Sequence, residues 1–495
     1  MSASDTNTGT QGTAIQRFGQ QMAKRVERWM PSPFLFALIL TYVAALLAIV
    51  IEGSGPSDVA FAWVDGFWAL LEFSMQMVLI LVTAFVVAYH PWVKKVIDFL
   101  ISIPSSAKGA VVLVGLVSMI TGWISWGLGL IVGAILAREM GKKAHQKGIS
   151  LHYPLVCVAG YMGMSLTWHW GLSSSAGLLM NTPGNVFIEQ GVVDGVISTT
   201  ETIFHPYALT LTVVSIIYAL IILYLLSPPA ETSRGIDEYL DPGVLEDELA
   251  EMETTESPSG DEAPAATDGG VDEEASDDSD DKRTPADRIN NNKILGGLAA
   301  LTGVVLTGHT FATEGLGALD LNVLNFAFLT IGLALYTSPI DYLEEFYEAV
   351  QSSAGIILQF PFYAGIIGIM TGTGLVDTMT EFLISIATPQ TFPVIAWITA
   401  GILNVFVPSG GGEWTIVGGA MLTAGQELGV AQGHTIMAYA VGDAHTNLFQ
   451  PFWAIPLLAI TGLRARDLFG YAITMLLLLT PYLALILFFL PYNIF

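Results

Sequence analysis

The chain has 495 residues, 53% hydrophobic and only 13% charged, with a formal net charge of −26. A soluble domain carries about a quarter charged residues, so this composition excludes an ordinary soluble enzyme or a nucleic-acid-binding module. It predicts an all-α polytopic membrane protein. The single cysteine, Cys157, excludes an intrachain disulfide and cysteine-rich metal or redox centres.

Residues 1–33 form a polar tail with Lys24, Arg25 and Arg28 ahead of the first apolar run. No short apolar segment with a small-residue cleavage site is present, so no removable signal peptide is expected. Apolar runs of spanning length follow at 34–51, 67–89, 109–124, 206–227, 294–308, 321–336, 391–407 and 468–490. Lysine and arginine set topology. Lys24, Arg25 and Arg28, then Lys94 and Lys95, then Arg138, Lys142, Lys143 and Lys147 fall on one side, taken as cytoplasmic. The expected setting is a multi-pass protein of the cell membrane with a cytoplasmic N-terminus. Residues 228–292 carry most of the negative charge: Glu231 to Asp287 holds 21 acids against Arg234, Lys282 and Arg283. Rich in Pro, Gly, Ser and Thr, this stretch reads as a disordered hydrophilic loop between two membrane halves. The halves are 34–227 and 293–495.

The halves repeat with an offset of about 280 residues. Phe67-Trp68 and Phe346-Tyr347 open similar runs, containing Met75-Gln76-Met77 and Leu358-Gln359-Phe360. Gly127-Leu128-Gly129 and Gly410-Gly411-Gly412 each precede an apolar helix, at 130–137 and 416–425. Helices at 153–168 and 434–446 then run into breaks at Gly171-Leu172-Ser173-Ser174-Ser175 and at Gln450-Pro451. Gly/Pro-interrupted apolar segments at matching positions of two halves point to a transporter site. A broken helix offers free N–H groups with a positive dipole end to an anion, and free carbonyls to a cation. The segment 294–308 is the additional crossing that inverts the second half.

Two polar stretches stand out at membrane depth. The first is Pro408-Ser409-Gly410-Gly411-Gly412-Glu413-Trp414, and the second runs from Asp443 through His445, Asn447 and Gln450 to Trp453. Backbone leaves a helix there only where protein or a cavity surrounds it, and ionisable groups there mark function. The glycine run is no nucleotide loop, because Glu413 stands where a lysine is required and no lysine follows Lys293. Asp443 and His445 are two apart and do not share a helix face, whereas Asp443 and Asn447 do. Each residue also has a plainer reading. The glycines serve close helix packing, His445 bonds a carbonyl, Asp443 and Glu413 are structural carboxyls, and the Ser173–Ser175 and Asn181-Thr182 oxygens cap helices and turns.

Seven ordered motifs carry a family resemblance. They are Trp63-Val64-Asp65-Gly66-Phe67-Trp68, Trp126-Gly127-x-Gly129-x-x-x-Gly133-Ala134, Ala137-Arg138-Glu139, Thr182-Pro183-Gly184-Asn185, Gln359-Phe360-Pro361-Phe362-Tyr363-Ala364-Gly365, Pro408–Trp414, and Gln450-Pro451-Phe452-Trp453-Ala454-x-Pro456. Together they resemble the short-chain fatty acid transporter family, within the ion-transporter superfamily. The resemblance spans nearly all of the chain outside the tail and the acidic loop. It implies inverted repeats with re-entrant hairpins and discontinuous helices, an elevator-type architecture, and a homodimer. It also implies uptake of anions such as butyrate or acetoacetate by a secondary, ion-coupled transporter. Glu413 departs from the family pattern, which often has a neutral or histidine residue there, and His169-Trp170 replaces a more glycine-rich stretch.

The expected site takes a small monocarboxylate. Backbone N–H groups at Ser173, Ser174 and Ser175 and at Ser409, Gly410, Gly411 and Gly412 hold the carboxylate. Asn181, Thr182, Asn404, Asn447 and Gln450 add polar contacts, and Trp126, Trp414 and Trp453 wall the apolar tail. Glu413, Asp443 or His445 handles a coupling proton or sodium ion. No catalytic residue, resident metal or cofactor is expected, and the partners are the substrate, the lipid bilayer and a second copy of the chain. A carrier for another organic anion is the alternative. An intramembrane enzyme using Asp443 and His445, or a channel, ranks behind it.

Overall fold

The computed structural model describes residues 33–246, 248–249, 284–406 and 408–493; the rest of the expected tail and acidic loop lies outside them. The first half runs α1 (Pro33–Val50), α2 (Pro56–Gly66), α3 (Leu71–Tyr89), α4 (Pro91–Ser102), α5 (Ala107–Ile124), α6 (Trp126–Gln146), α7 (Tyr153–Met162), α8 (Ser175–Asn181) and α9 (Pro206–Leu226). After α10 (Lys293–Glu314) the same order returns. It runs α11 (Leu321–Tyr336), α12 (Pro339–Val350), α13 (Ala354–Thr373), α14 (Leu375–Ile386), α15 (Phe392–Phe406), α16 (Gly410–Glu427), α17 (Gln432–Thr446), α18 (Pro451–Thr461) and α19 (Ala465–Phe489). The repeat legible in the sequence is therefore a repeat of the main helix order, with α10 and the short helices Val186–Glu189 and Pro285–Asn290 standing outside it among the described residues.

Local chemistry sets many of the helix starts. Proline occupies the first turn of α2, α4, α7, α9, α12 and α18, where its missing N–H costs nothing. Side chains of Ser106, Asn292, Asp320 and Ser409 cap α5, α10, α11 and α16. The outer helices turn apolar side chains outward, as Ile294, Leu298, Leu301 and Val305 do on α10, which suits a lipid solvent. Six helical stretches are long and apolar enough to span a membrane among the described residues. The one containing α13 is absent from the expected spans, because Gln359, Pro361 and Tyr363 interrupt its apolar run.

The two copies interlock. α13 of the second half packs on α1 and α2 of the first, and α3 of the first packs on α11 and α12 of the second. Gly66 and Gly368 make one of these crossings; a Cβ on Gly66 would lie 2.6 Å from the Gly368 Cα. At the other, Gln76 Nε2 donates to Asn322 Oδ1 at 2.9 Å and Asn325 Nδ2 to the Gln76 carbonyl at 3.0 Å. The hairpins α5–α6 and α15–α16 and the helices α7 and α17 fill the centre, and Tyr153–Trp170 is buried throughout.

Residues 228–249, expected to be part of a disordered loop, fold back across the ends of α6 and α7. The Tyr153 N–H donates to the Arg234 carbonyl (2.8 Å) and the Arg234 N–H to His152 Nδ1 (3.1 Å). Ile236 and Leu245 are buried, Leu240 covers Gly462, and Glu248 binds Arg138 and Lys142. Mean composition hid this strap, because a few apolar residues spaced among acids suffice to hold it.

Burial, then the charge of Arg234, pushes the His152 imidazole down to about 4, so it stays neutral and accepts the strap's N–H. Between its ordinary value near 6.5 and that value, the unfolded chain binds the extra proton and the folded strap does not. Strap stability is thus full above about pH 6.5 and falls as pH drops toward 4, by up to ~1.4 kcal/mol per unit. Limited proteolysis within 228–249 is expected to accelerate from pH 7 to pH 5, and to lose that pH dependence in His152→Asn.

A second expectation comes from the α6–α7 crossing. A Cβ on Gly133 would sit 2.0 Å from the Gly160 carbonyl oxygen. Gly133→Ala is expected to cost about 1–3 kcal/mol or more by overpacking, read as a lowered unfolding midpoint in detergent. Gly297→Ala on α10, with open space around it, is expected to stay within about 0.5 kcal/mol.

Candidate functional site

Both hairpin tips end inside the protein. α5 and α6 are joined by Ser125 alone, and their arms pinch together just behind it, where a Cβ on Gly129 would lie 2.4 Å from the Gly122 Cα. The Trp126 N–H, first in α6, donates to Ser173 Oγ at 2.9 Å. The other tip leads into α16, where Ser409 Oγ accepts the Gly412 N–H at 3.2 Å. Gly410, Gly411 and Gly412 are thus the first turn of α16 rather than a loop before it, and Gly127 and Gly129 lie likewise within α6. The first turn leaves the Gly410 and Gly411 N–H groups without acceptors in their own helix.

The glycines let this backbone lie against side chains of both halves. A Cβ on Gly410 would lie 2.6 Å from the Trp168 ring, 2.7 Å from His169 Cε1 and 2.8 Å from Asp443 Oδ2. On Gly411 it would meet Phe73 at 2.5 Å, and on Gly412 Tyr363 at 2.7 Å. No side chain fits at these three positions without displacing a ring.

α7 does not stop cleanly. It loosens into a π turn at Gly163–Thr167 and a 3-10 turn at Trp168–Trp170, and the chain restarts as α8 after the Ser174 cap. α17 ends similarly in a 3-10 turn at Asn447–Phe449, with Gln450 capping α18. The two breaks hold each other. Asn447 Nδ2 donates to the Met164 carbonyl freed by the π turn (3.0 Å), and the Tyr161 hydroxyl to the Asn447 carbonyl (3.1 Å). Asn404 Nδ2 donates to the Asp443 carbonyl (2.8 Å) and to Asn447 Oδ1 (2.9 Å), and Gln450 Nε2 to the Asn404 carbonyl (2.8 Å).

At the centre His169 Nδ1 meets Asp443 Oδ2 at 2.5 Å, and the Ala176 N–H, at the start of α8, donates to His169 Nε2 at 3.2 Å. A ring nitrogen that accepts carries no proton, so the proton is on Nδ1 and is donated to the Asp443 carboxylate. His169 and Asp443 are 0% and 1% exposed. Glu413, 1% exposed, differs: neither carboxyl oxygen receives a well-formed hydrogen bond, and the Tyr439 hydroxyl lies beside it. Tyr363, Tyr439 and Asp443 lie within electrostatic reach of it. Yet the Tyr439 hydroxyl donates to the Gly410 carbonyl (2.8 Å) and that of Tyr363 to Gln359 Oε1 (2.9 Å).

Aromatic rings surround the tips. Trp126 stands edge-on to Trp453 at 5.5 Å and to Trp168 at 6.4 Å, and Trp168 stacks on His169 at 4.2 Å. Trp414 packs against Tyr439 (4.6 Å) and Phe187 (5.7 Å).

A family model described as short chain fatty acid transporter matches residues 14–490. A protein of Escherichia coli (strain K12), named by inference a short-chain fatty acid transporter, is 35% identical over 94% of this chain and 97% of its own. A Haemophilus influenzae protein with the same name is 34% identical over 96% and 100%. The chain belongs to the short-chain fatty acid transporter family. Two solved structures share the fold at low identity. The Alcanivorax borkumensis YdaH transporter, reported to have an unusual topology, has a TM-score of 0.53 at 15% identity, covering 92% of this chain and 98% of its own. Neisseria gonorrhoeae MtrF, presented as one of a class of antimetabolite efflux pumps, has a TM-score of 0.57 at 14%, covering 94% and 97%. The protein is a membrane transporter for a small molecule, not an enzyme.

Within this transporter, the structure gathers Trp126, Ser173, Ser175, Ser409–Glu413 and Asp443 around the crossed breaks, with Asn404, Asn447 and Gln450 as their scaffold. Other expected residues sit elsewhere. His445 shares a hydrogen bond with the Leu476 carbonyl (3.1 Å) and stacks on Trp397. Asn181 Nδ2 donates to the carbonyls of Gly317 and Leu319, and Thr182 Oγ1 to that of Leu178. Ser174 caps α8 through the Gly177 N–H. His169, Trp168, Tyr363 and Tyr439 were not among the expected site residues. For His169 the one signal was its departure from the family pattern.

Removing either member of the His169–Asp443 pair strands a buried polar group. His169→Ala, which strands a buried carboxylate, is expected to cost about 3–5 kcal/mol, and Asp443→Ala, which strands a neutral imidazole N–H, about 1–3 kcal/mol, while the double variant falls well short of the sum. Thermal unfolding of the four proteins in detergent measures the coupling.

Proposed function

We propose that this transporter is a secondary active carrier that takes up short-chain fatty acid anions such as butyrate or acetoacetate, driven by a proton or sodium gradient. Membership of the family, and the names of the Escherichia coli and Haemophilus influenzae relatives, support the substrate class. The observation that carries the reading is the meeting of the α16 N-terminus with the crossed breaks under a tryptophan wall. A carboxylate suits free first-turn N–H groups and a positive dipole end. A chain of two to four carbons suits indole faces such as Trp126, Trp168 and Trp453.

The groups around this point are neutral donors and carboxyls. Arg138 and Lys142 bind Glu248 at the strap, and Arg464 and Arg466 bind Asp467. A second substrate carboxylate would need a fixed cation, so the site favours a monoanion over a dicarboxylate. Hairpins and broken helices moving against the interlocked α1–α3 and α11–α13 would carry the site across in an elevator motion. A homodimer in the cell membrane, with a cytoplasmic N-terminus, is the assembly that goes with this reading.

The test is reconstitution. Proteoliposomes are expected to show saturable uptake of labelled butyrate, competed by acetoacetate and not by succinate, and counterflow from butyrate-loaded vesicles. Absence of saturable uptake and counterflow for every short monocarboxylate tried would sink the proposal.

A further inference from the structure

We propose that Glu413 is the proton carrier of this transporter, with the His169–Asp443 pair as its fixed, ionised neighbour, so that one carboxylate anion crosses with one proton. This rests on the carrier reading above. The starting observation is geometric. Both Glu413 oxygens are buried without a donor, and an ionised carboxylate so placed costs several kcal/mol. Each of the two nearby phenols gives its proton to another acceptor, so the Tyr439 hydroxyl beside Glu413 is left to accept. A neutral Glu413 can donate to that oxygen, and an ionised one cannot.

Asp443 shares the same dry space, and two neighbouring carboxyls there do not both ionise. Their surroundings assign the charge. Asp443 receives the His169 N–H, and the Ala176 N–H locks that tautomer. Asp443 is therefore the carboxylate and Glu413 the acid. A second proton on His169 would have to displace the Ala176 N–H, which leaves Glu413 as the group free to change. His445 stands apart, with its ring nitrogen engaged by Leu476 on α19.

The remaining surroundings add no competing charge. α13 presents Tyr363, and α17 presents Tyr439 and Asp443. α14 carries Asp377 and Glu381, both exposed, while α8 and α15 have no titratable side chain. Opening of the α15–α16 tip hydrates Glu413, which then takes a proton from the more acidic side. Closure over a bound substrate anion dries the carboxyl and is permitted only when it is protonated. On the opposite side the proton leaves to water with the substrate, and the emptied carrier returns with the ionised carboxylate hydrated in the space the substrate has left, so that one proton crosses per anion. The charge of the substrate anion is balanced by the proton that crosses with it.

Two measurements decide the proposal. Infrared spectra of the wild type in detergent at neutral pH are expected to show the carbonyl stretch of a protonated, buried carboxyl, present in Asp443→Asn and missing in Glu413→Gln. In proteoliposomes, a pH gradient acidic outside is expected to drive butyrate accumulation in the wild type with no sodium present. Accumulation under the same gradient should fall at least tenfold in Glu413→Gln, and the pH dependence of residual exchange should vanish. No such carbonyl band in the wild type, sodium-driven uptake indifferent to pH, or undiminished accumulation in Glu413→Gln would overturn the assignment. Failure of the substrate reading looks different: the wild type would show no butyrate counterflow, while the infrared band would still report on Glu413.

Discussion

A helix interrupted inside an apolar slab exposes N–H and carbonyl groups where no water can take them. This protein interrupts two, and each break satisfies the other. The carbonyl freed at Met164 receives Asn447, the end of α17 receives Tyr161, and Asn404 and Gln450 close the remaining ends. At the middle, His169 bonds Asp443. The second half closes part of its own break through Asn404 and Gln450, while Met164, the Asn447 carbonyl and Asp443 are met across the halves, so the interlocked repeats follow from a requirement of hydrogen bonding as much as from packing.

That requirement fixes the role of glycine. The α16 first turn must lie against Trp168, His169 and Asp443 for its dipole to face the junction, and only a residue without a Cβ can approach so closely. The same economy recurs at Gly122–Gly129, Gly133–Gly160 and Gly66–Gly368, where backbones cross as small residues allow in membranes. The polar centre and the close crossings are one arrangement, and the aromatic rings around Trp126 fill what the glycines leave open.

Glu413 is the carboxyl that the junction leaves unpaired. Asp443 receives His169, whereas both oxygens of Glu413 lack a well-formed hydrogen bond, as do Asn404 Oδ1 and the indole N–H groups of Trp126, Trp168 and Trp414 around it. Strained or unsatisfied groups persist where a mechanism uses them. In the proposed cycle, a carboxyl that must be neutral when dried over the substrate and returns ionised when the emptied site is hydrated ties one proton to each crossing.

Much of this was legible along the chain. Apolar runs located α1, α9, α11 and α19, the Gly/Pro breaks located both tips, and the offset of the halves announced the repeat. Where local signal and tertiary setting diverged, the reading faltered. Gln359 and Pro361 hid α13 as a span, although its polar residues face protein rather than lipid. Dispersed Ile236, Tyr239 and Leu245 were lost in the acidity of the strap. His445 stood beside Asp443 and Glu413 as a candidate for the coupling ion, and the expectation that it and Asp443 face different ways holds: the helix turns them to Leu476 and His169.

The sequence by itself determined the class, the repeat, the places where helices break, and the family, because these depend on local composition and spacing. Only the tertiary structure decided which polar residues meet. His169 and Asp443 are 274 residues apart, and no periodicity within either half carries information about the other. The same holds for Glu413: that it is acidic is written in the chain, but that no well-formed hydrogen bond reaches it is a property of everything packed around it.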